Sequence, residues 1–313
     1  MLELAGLTVA FTTRRGSVRA LNGVDLHVGA GEIVGIVGES GSGKSVTLRA
    51  IMRLLRRAVI GGRVGWDGQD LLTMPDAALR SVRGRQIAMI FQEPMTALNP
   101  VLTIGEQITE VLPADAPPGR AAALLALVGI GASAQRLRNY PHEFSGGMRQ
   151  RAMIAIALAG QPRLLLADEP TTALAVTIQD QILRLLMRLS DELGLAIVLV
   201  THDLGVVAQT CQRVCVMYAG RIVEEAPVAD LFARPRHGYS HALLGAIPHG
   251  RARQALVTIP GQPPPLDQPI SGCAFAPRCA FTEDRCTETA PPMQFYGNGH
   301  RAACWAADRI PAP

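Results

Sequence analysis

The octapeptide Gly38-Glu39-Ser40-Gly41-Ser42-Gly43-Lys44-Ser45 decides how the rest of this chain is read. A short apolar stretch, Glu32–Val37, reads as a buried strand before it, and a helix-compatible run, Val46–Leu55, follows it. This is the spacing G-x-x-x-x-G-K-[ST] in the strand–loop–helix context that gives it meaning. The glycines let the backbone curl so that its N–H groups converge on phosphate oxygens. The helix start adds the positive end of its dipole, Lys44 adds a point charge, and Ser45 offers a hydroxyl to Mg²⁺. Gly38, Glu39, Ser40, Gly41, Ser42, Gly43, Lys44, Ser45 and Val46 are therefore the candidate phosphate-binding residues. A chance Gly-rich turn would not keep every spaced position in the right context.

Further along, Leu164-Leu165-Leu166-Ala167-Asp168-Glu169 is an apolar strand that ends in two carboxylates. Asp168 is placed to approach a metal ion, and Glu169 to orient or deprotonate a water. Nucleotide hydrolysis needs both roles. An acidic pair at a strand end is a weak signal alone, and the loop upstream is what raises it.

The chain falls into three zones and a tail. Residues 1–91 begin with alternating strands, Leu2–Val9 and Val18–Val28, joined by polar turns. Residues 92–160 read as helix-rich, with Pro and Gly punctuation at Asn99-Pro100 and Ala116–Gly119. Strand–helix alternation then returns, with a strand over Arg163–Ala167, a helix near Val176–Leu193 and a strand over Ala196–Val200. Buried apolar strands alternating with helices predict a parallel α/β sheet. Beyond about Arg236 prolines cluster at 260 and 263–265, and cysteines follow, as in a small appended segment that needs a staple.

Between the two nucleotide motifs lies Phe144-Ser145-Gly146-Gly147-Met148-Arg149-Gln150. Here the chain resembles the ATP-binding cassette (ABC) ATPases, whose signature is usually Leu-Ser-Gly-Gly-Gln. Physically, Ser145, Gly146 and Gly147 open a helix and offer a hydroxyl and N–H groups to an anion. The resemblance implies that this face serves the γ-phosphate held by a second subunit. It also implies that Gln92 contacts Mg²⁺ and the attacking water, that His202 contacts the γ-phosphate, and that Phe11 stacks on adenine. A lone His at a strand end is by default a plain polar residue, and a strand Phe is by default core. The implied fold is a P-loop NTPase of the ABC type: a RecA-like parallel sheet, an antiparallel β subdomain, and a helical subdomain over about 92–160. The ATPase domain would span 1–235, with a C-terminal extension over 236–313.

Within that family the sequence resembles the dipeptide and oligopeptide importers. Ile90–Pro100, Ala167–Leu174 and Pro235–Ser240 are similar to that branch's versions of the glutamine loop, the carboxylate motif and the exit from the ATPase core. The implied function is an ATP-hydrolysing subunit that energises import of peptides or similar small solutes. The implied partners are a second, non-identical ATPase subunit, two transmembrane permease subunits and an extracytoplasmic solute-binding protein. The alternative is a soluble ABC ATPase of DNA repair or translation; those usually carry two cassettes or a long coiled coil, and this chain has one cassette and no sustained heptads. A module that holds nucleotide without turnover is a third reading, opposed by Glu169 and His202. One departure stands out. Where the family places Asp after Ala-Leu, this chain has Ala175, which removes a hydrogen-bond acceptor.

Bulk properties agree with a globular ATPase. The 313 residues are 48% hydrophobic and 18% charged, enough for a substantial core. A net charge of +4 without a long basic run gives no reason to expect nucleic acid as a partner. No apolar stretch approaches the ~20 residues of a membrane-spanning helix, and the first residues lack the pattern of a signal peptide. The expectation is a peripheral protein on the cytoplasmic face of the inner membrane.

Four of the six cysteines, Cys273, Cys279, Cys286 and Cys304, fall near the C-terminus. In a reducing compartment such a cluster reads as a metal or cluster site before it reads as a disulfide framework. Four thiolates suit tetrahedral Zn²⁺ or a cubane iron–sulfur cluster, and the spacing does not choose between them. The resemblance to peptide-importer ATPases favours [4Fe–4S], with Zn²⁺ as the alternative. Cys211 and Cys215 sit among apolar residues and read as ordinary buried cysteines.

Overall fold

The computed structural model describes residues 1–13, 16–172, 174–247, 258–268 and 270–313. The chain forms two compact units: residues 1–27, 34–72 and 201–313, and residues 28–33 and 73–200.

The first unit opens with strands longer than the sequence suggests, Leu2–Thr13 and Gly16–Val28. With Ala58–Trp66 and Gln69–Asp70 they form a four-stranded sheet in which Leu2–Thr13 lies between Gly16–Val28 and Ala58–Trp66. Leu2–Thr13 runs antiparallel to Ala58–Trp66, from Leu2 opposite Trp66 to Phe11 opposite Ala58. Alternation puts Leu2, Leu4, Leu7 and Val9 into the core. The register shifts between Ala5 and Thr8, where Gly6 takes φ +57° and donates its N–H to Asp25 at 2.7 Å. Such a bulge bends the strand and lets one apolar face persist across it.

The unit's other strands are built around Ile33–Val37, in which every residue is buried. It runs parallel to Arg213–Tyr218, which pairs antiparallel with Arg221–Pro227. The C-terminal extension adds to the same edge. Arg301–Ala302 pairs with Glu224 and Glu225, and Gln294–Phe295 pairs with Arg301–Ala302. Glu224, fully buried, accepts from the backbone N–H groups of Arg236 and His237 and meets His300 Nε2 at 2.7 Å. Phe275 packs into one apolar cluster with Val37, Val214, Val216, Tyr218 and Tyr239. The tail is thus built onto the sheet's edge, with Phe275 in the shared core.

The second unit holds three parallel strands, Ile87–Ile90, Leu164–Asp168 and Ala196–Thr201, with Leu164–Asp168 in the middle. The last two are buried at every position, as a strand covered on both faces should be. The helix Val176–Leu193 appears over the expected residues and turns Ile182, Leu185, Leu186 and Leu189 inward at helical spacing. Residues 92–160 contain helices and no strand among the described residues, including Ile104–Val111, Arg120–Leu127 and Gly146–Ala159. Thr103 and Glu106 close a capping box on the first of these. Among the described residues no helix is long and apolar enough to cross a membrane.

Candidate functional site

In the first unit, the phosphate loop connects Ile33–Val37 to the helix Lys44–Ile51. That helix starts earlier and ends earlier than the expected Val46–Leu55, because the chain turns away at Arg53, whose φ is +48°. Two glycines carry the loop's shape. Gly38 has φ +155°, and a Cβ there would lie 2.2 Å from the Met217 carbonyl oxygen. Gly43 has φ +109° and would clash with Leu21 and Met217 side chains at 2.8 and 2.9 Å. No L side chain fits either place, so the glycines of the motif are steric requirements.

Lys44 is the first residue of the helix and is 5% exposed. Its ammonium curls back to the carbonyl oxygens of Gly38 at 2.7 Å and Glu39 at 2.9 Å, which fixes a positive charge inside the loop. The Ser42 hydroxyl is buried and has no hydrogen-bond partner among the described residues, while Ser42 O accepts from Gly220 N–H at 2.9 Å. A buried hydroxyl, curled N–H groups and an enclosed ammonium suit an anion with several oxygens. His202 is exposed one residue beyond the strand Ala196–Thr201, and the Asp203 that follows caps the helix Leu204–Thr210. Phe11 is half-buried in its strand.

In the second unit, Asp168 is the buried last residue of the strand Leu164–Asp168. Glu169 takes φ +46°, a left-handed conformation that costs a non-glycine residue about 1–2 kcal/mol. Its N–H donates to Val200 O at 3.0 Å, which pins the turn to the neighbouring strand. Its carboxylate Oε2 accepts from the Thr172 hydroxyl at 2.7 Å and from Gln92 Nε2 at 3.2 Å. The structure therefore joins Gln92 and Glu169 directly. Thr172 is a partner that motif reading missed, although it stands three residues on, within the Ala167–Leu174 stretch.

Ser145 caps the helix Gly146–Ala159, accepting from Met148 N–H at 3.4 Å, and Phe144 is buried behind it. Ser145 and Gly146 are exposed, so the helix start faces outward. A Cβ on Gly147 would come within 2.8 Å of Ile178, so close helix approach explains that glycine. Ala175 sits at the N-cap of Val176–Leu193 with no side-chain cap, where a carboxylate would have accepted an N–H of the first turn.

The four C-terminal cysteines, scattered in sequence, line one small pocket together with His237, Gly238 and Phe281. No disulfide joins any of the six cysteines. Cys279 Sγ accepts from Phe281 N–H at 3.3 Å, Cys273 from Phe275 N–H, and Cys304 from the N–H groups of Ala306 and Gly238. Gly238 is also a steric requirement, since a Cβ there would sit 2.5 Å from Cys279 Sγ. Burial pushes the Cys273 thiol up to about 11, and the three neighbouring cysteines add to the shift. Among the described residues, no group of three or more His, Cys, Asp or Glu side chains is placed to hold a metal ion, so the expected metal site is not preassembled around one centre. Outside this pocket, Cys215 is buried as expected, and Cys211, half-buried, is pushed by burial to about 11.

Residues 21–172 match the ABC transporter family, and residues 223–286 match the C-terminal region of oligopeptide/dipeptide transporters. A probable peptide ABC transporter ATP-binding protein of Sinorhizobium fredii is 53% identical over 99% of this chain and 96% of its own length. The oligopeptide transport ATP-binding protein of Bacillus subtilis is 46% identical over 97% of this chain and 88% of its own. A solved dimeric structure of an ATP-binding cassette in a post-hydrolysis state, bound to ADP and Pi, superposes with a TM-score of 0.65 at 30% identity. It covers 73% of this chain and 99% of the cassette.

Proposed function

The chain belongs to the ABC transporter family, and from that premise we infer that it is the ATP-binding, ATP-hydrolysing subunit of a peptide importer. The observation that carries the reading is a sterically enforced phosphate loop in a chain whose C-terminal region also matches oligopeptide/dipeptide transporters. The same match favours an importer over a soluble ABC ATPase of DNA repair or translation.

We assign the residues as follows. Gly38–Val46 would cradle the phosphates, with Lys44 neutralising charge as it leaves the loop carbonyls for the ligand. Phe11 would flank the adenine. Ser45, Gln92 and Asp168 would hold Mg²⁺, which when bound neutralises phosphate charge and aligns the γ-phosphate. Glu169 would take a proton from the attacking water as the new P–O bond forms and the bond to the β-phosphate breaks, releasing ADP and phosphate. Gln92 and Thr172 fix the direction of that carboxylate. His202 would stabilise charge on the γ-phosphate. The outward start of Gly146–Ala159, with Ser145, Gly146 and Gly147, would serve the nucleotide of a second ATPase subunit. Two permease subunits and a solute-binding protein complete the assembly, with this chain peripheral on the cytoplasmic face of the inner membrane.

For the cysteine pocket we infer a structural [4Fe–4S] cluster held by Cys273, Cys279, Cys286 and Cys304. The support is that these four cysteines, scattered in sequence, line one small pocket, and the resemblance to peptide-importer ATPases is what favours a cluster over Zn²⁺. The N–H donors to three of the sulfurs, one from the start of the helix Gly238–Gly245, suit ligated thiolates. Iron and acid-labile sulfide in anaerobically purified protein should approach four each per chain. Stoichiometric zinc would replace this reading, and a metal-free folded tail would end both. For the ATPase itself, purified chain should release phosphate from ATP with Mg²⁺ and stop with EDTA. ATP binding without turnover would point instead to a regulatory nucleotide-holding module.

A further inference from the structure

The cysteine-bearing segment also reaches the phosphate loop. Arg278, one residue before Cys279, is 8% exposed and lays its guanidinium on the Glu39 carboxylate. The pair is bidentate, Nη1 to Oε2 at 2.7 Å and Nη2 to Oε1 at 2.9 Å. The same guanidinium donates to the Tyr218 hydroxyl at 3.1 Å and, through Nε, to Pro260 O at 2.7 Å. Tyr239 holds the other side of Glu39, its hydroxyl accepting the Glu39 N–H at 2.7 Å. Phe275 meets Tyr218 edge-on at 5.3 Å. Leu266 O accepts from Arg19 N–H at 3.0 Å, and Pro263, Pro264 and Leu266 border the same pocket as Glu39–Ser42.

Glu39 is the one carboxylate within the loop Gly38–Ser45. The motif leaves its identity open, yet it puts a negative charge in a loop that must receive phosphates. A like charge in such a loop repels the ligand unless it is neutralised and turned away. Arg278 does both, through a planar fork that also limits how the loop can move. We propose that Arg278 is a positioning residue for the nucleotide site: by clamping Glu39 it neutralises the loop's own carboxylate and holds the loop ready for ATP. The C-terminal extension is then part of the phosphate site. This deepens the ATPase reading and rests on it.

The test is the dissociation constant for Mg-ATP, with kcat at saturating ATP, in the full-length chain. Arg278→Gln should weaken binding by about tenfold, as a loop competent only part of the time binds in proportion to its competent fraction. At saturating ATP, kcat should stay within about twofold. Glu39→Gln added to Arg278→Gln should restore most of the lost affinity by removing the exposed carboxylate, an outcome that loss of packing alone would not give. Arg285→Gln, an extension arginine paired with Glu283 and Trp305, should leave affinity unchanged. Unchanged affinity in folded Arg278→Gln would overturn the proposal, as would a further loss in the double variant or an equal loss in Arg285→Gln. If Arg278→Gln does not fold, Arg278→Lys decides, since it keeps a charge and loses the fork: a rise of about threefold supports the clamp, and no rise overturns it. A wild-type chain that failed to bind Mg-ATP would instead defeat the ATPase reading.

Discussion

The phosphate loop and the carboxylate turn both depend on unusual backbone, and they reach it in opposite ways. At Gly38 and Gly43 positive φ is combined with space too small for a Cβ, so glycine carries the shape at little cost. At Glu169 positive φ falls on a residue whose side chain is needed, and the strain is tolerated because Val200, Thr172 and Gln92 hold the turn in place. The loop can be specified by what is missing from its residues. The turn has to be specified by partners brought from elsewhere in its unit. The contrast separates their functions too: the loop should control how well ATP binds, and the turn how fast bound ATP reacts.

The sharpest check is Glu169→Gln. It keeps the shape and removes the base, so kcat should fall by about 10²–10⁴-fold with ATP affinity preserved. An equal loss of affinity would erase the distinction between the two regions. Next in size, Gly38→Ala puts a methyl against the Met217 carbonyl, and binding of Mg-ATP should weaken by more than about tenfold from strain of about 1–3 kcal/mol. A folded variant with normal affinity would show that the loop is softer than its geometry implies. A smaller effect is expected at Thr172→Ala, which removes one bond to the Glu169 carboxylate. There kcat should drop by about tenfold, the equivalent of a hydrogen bond of about 1–1.5 kcal/mol, while KM holds. Last, Ala175→Asp should cap the helix Val176–Leu193 and raise unfolding stability by about 1 kcal/mol in denaturant melts. If it also raises the hydrolysis rate in the assembled transporter, the methyl at 175 limits turnover; an unchanged rate would confine its effect to the helix.

What the sequence made legible follows the same division. The loop is a contiguous motif whose spacing encodes its backbone, so Gly38–Ser45 is legible in the sequence alone. The strand Leu164–Asp168 and the helix Val176–Leu193 were legible because burial and helical periodicity are local properties. Strand lengths were less so. The bulge at Gly6 lets Leu2–Thr13 continue past the point where simple alternation breaks. Thr172, Gly238, Tyr239 and Arg278 were missed as site residues because their roles rest on contacts made by folding, the last 239 positions from Glu39. The cysteines illustrate the limit: their types named a possible chemistry, and only the fold of the tail places four of them around one pocket.

The most direct test of the central claim is ATP hydrolysis in membranes that contain this chain with its permease subunits, measured with and without solute-binding protein and peptide. Hydrolysis should rise when binding protein and peptide are both present, and should disappear with Glu169→Gln. Hydrolysis by a chain that never associates with the permease subunits, and is indifferent to peptide, would contradict it.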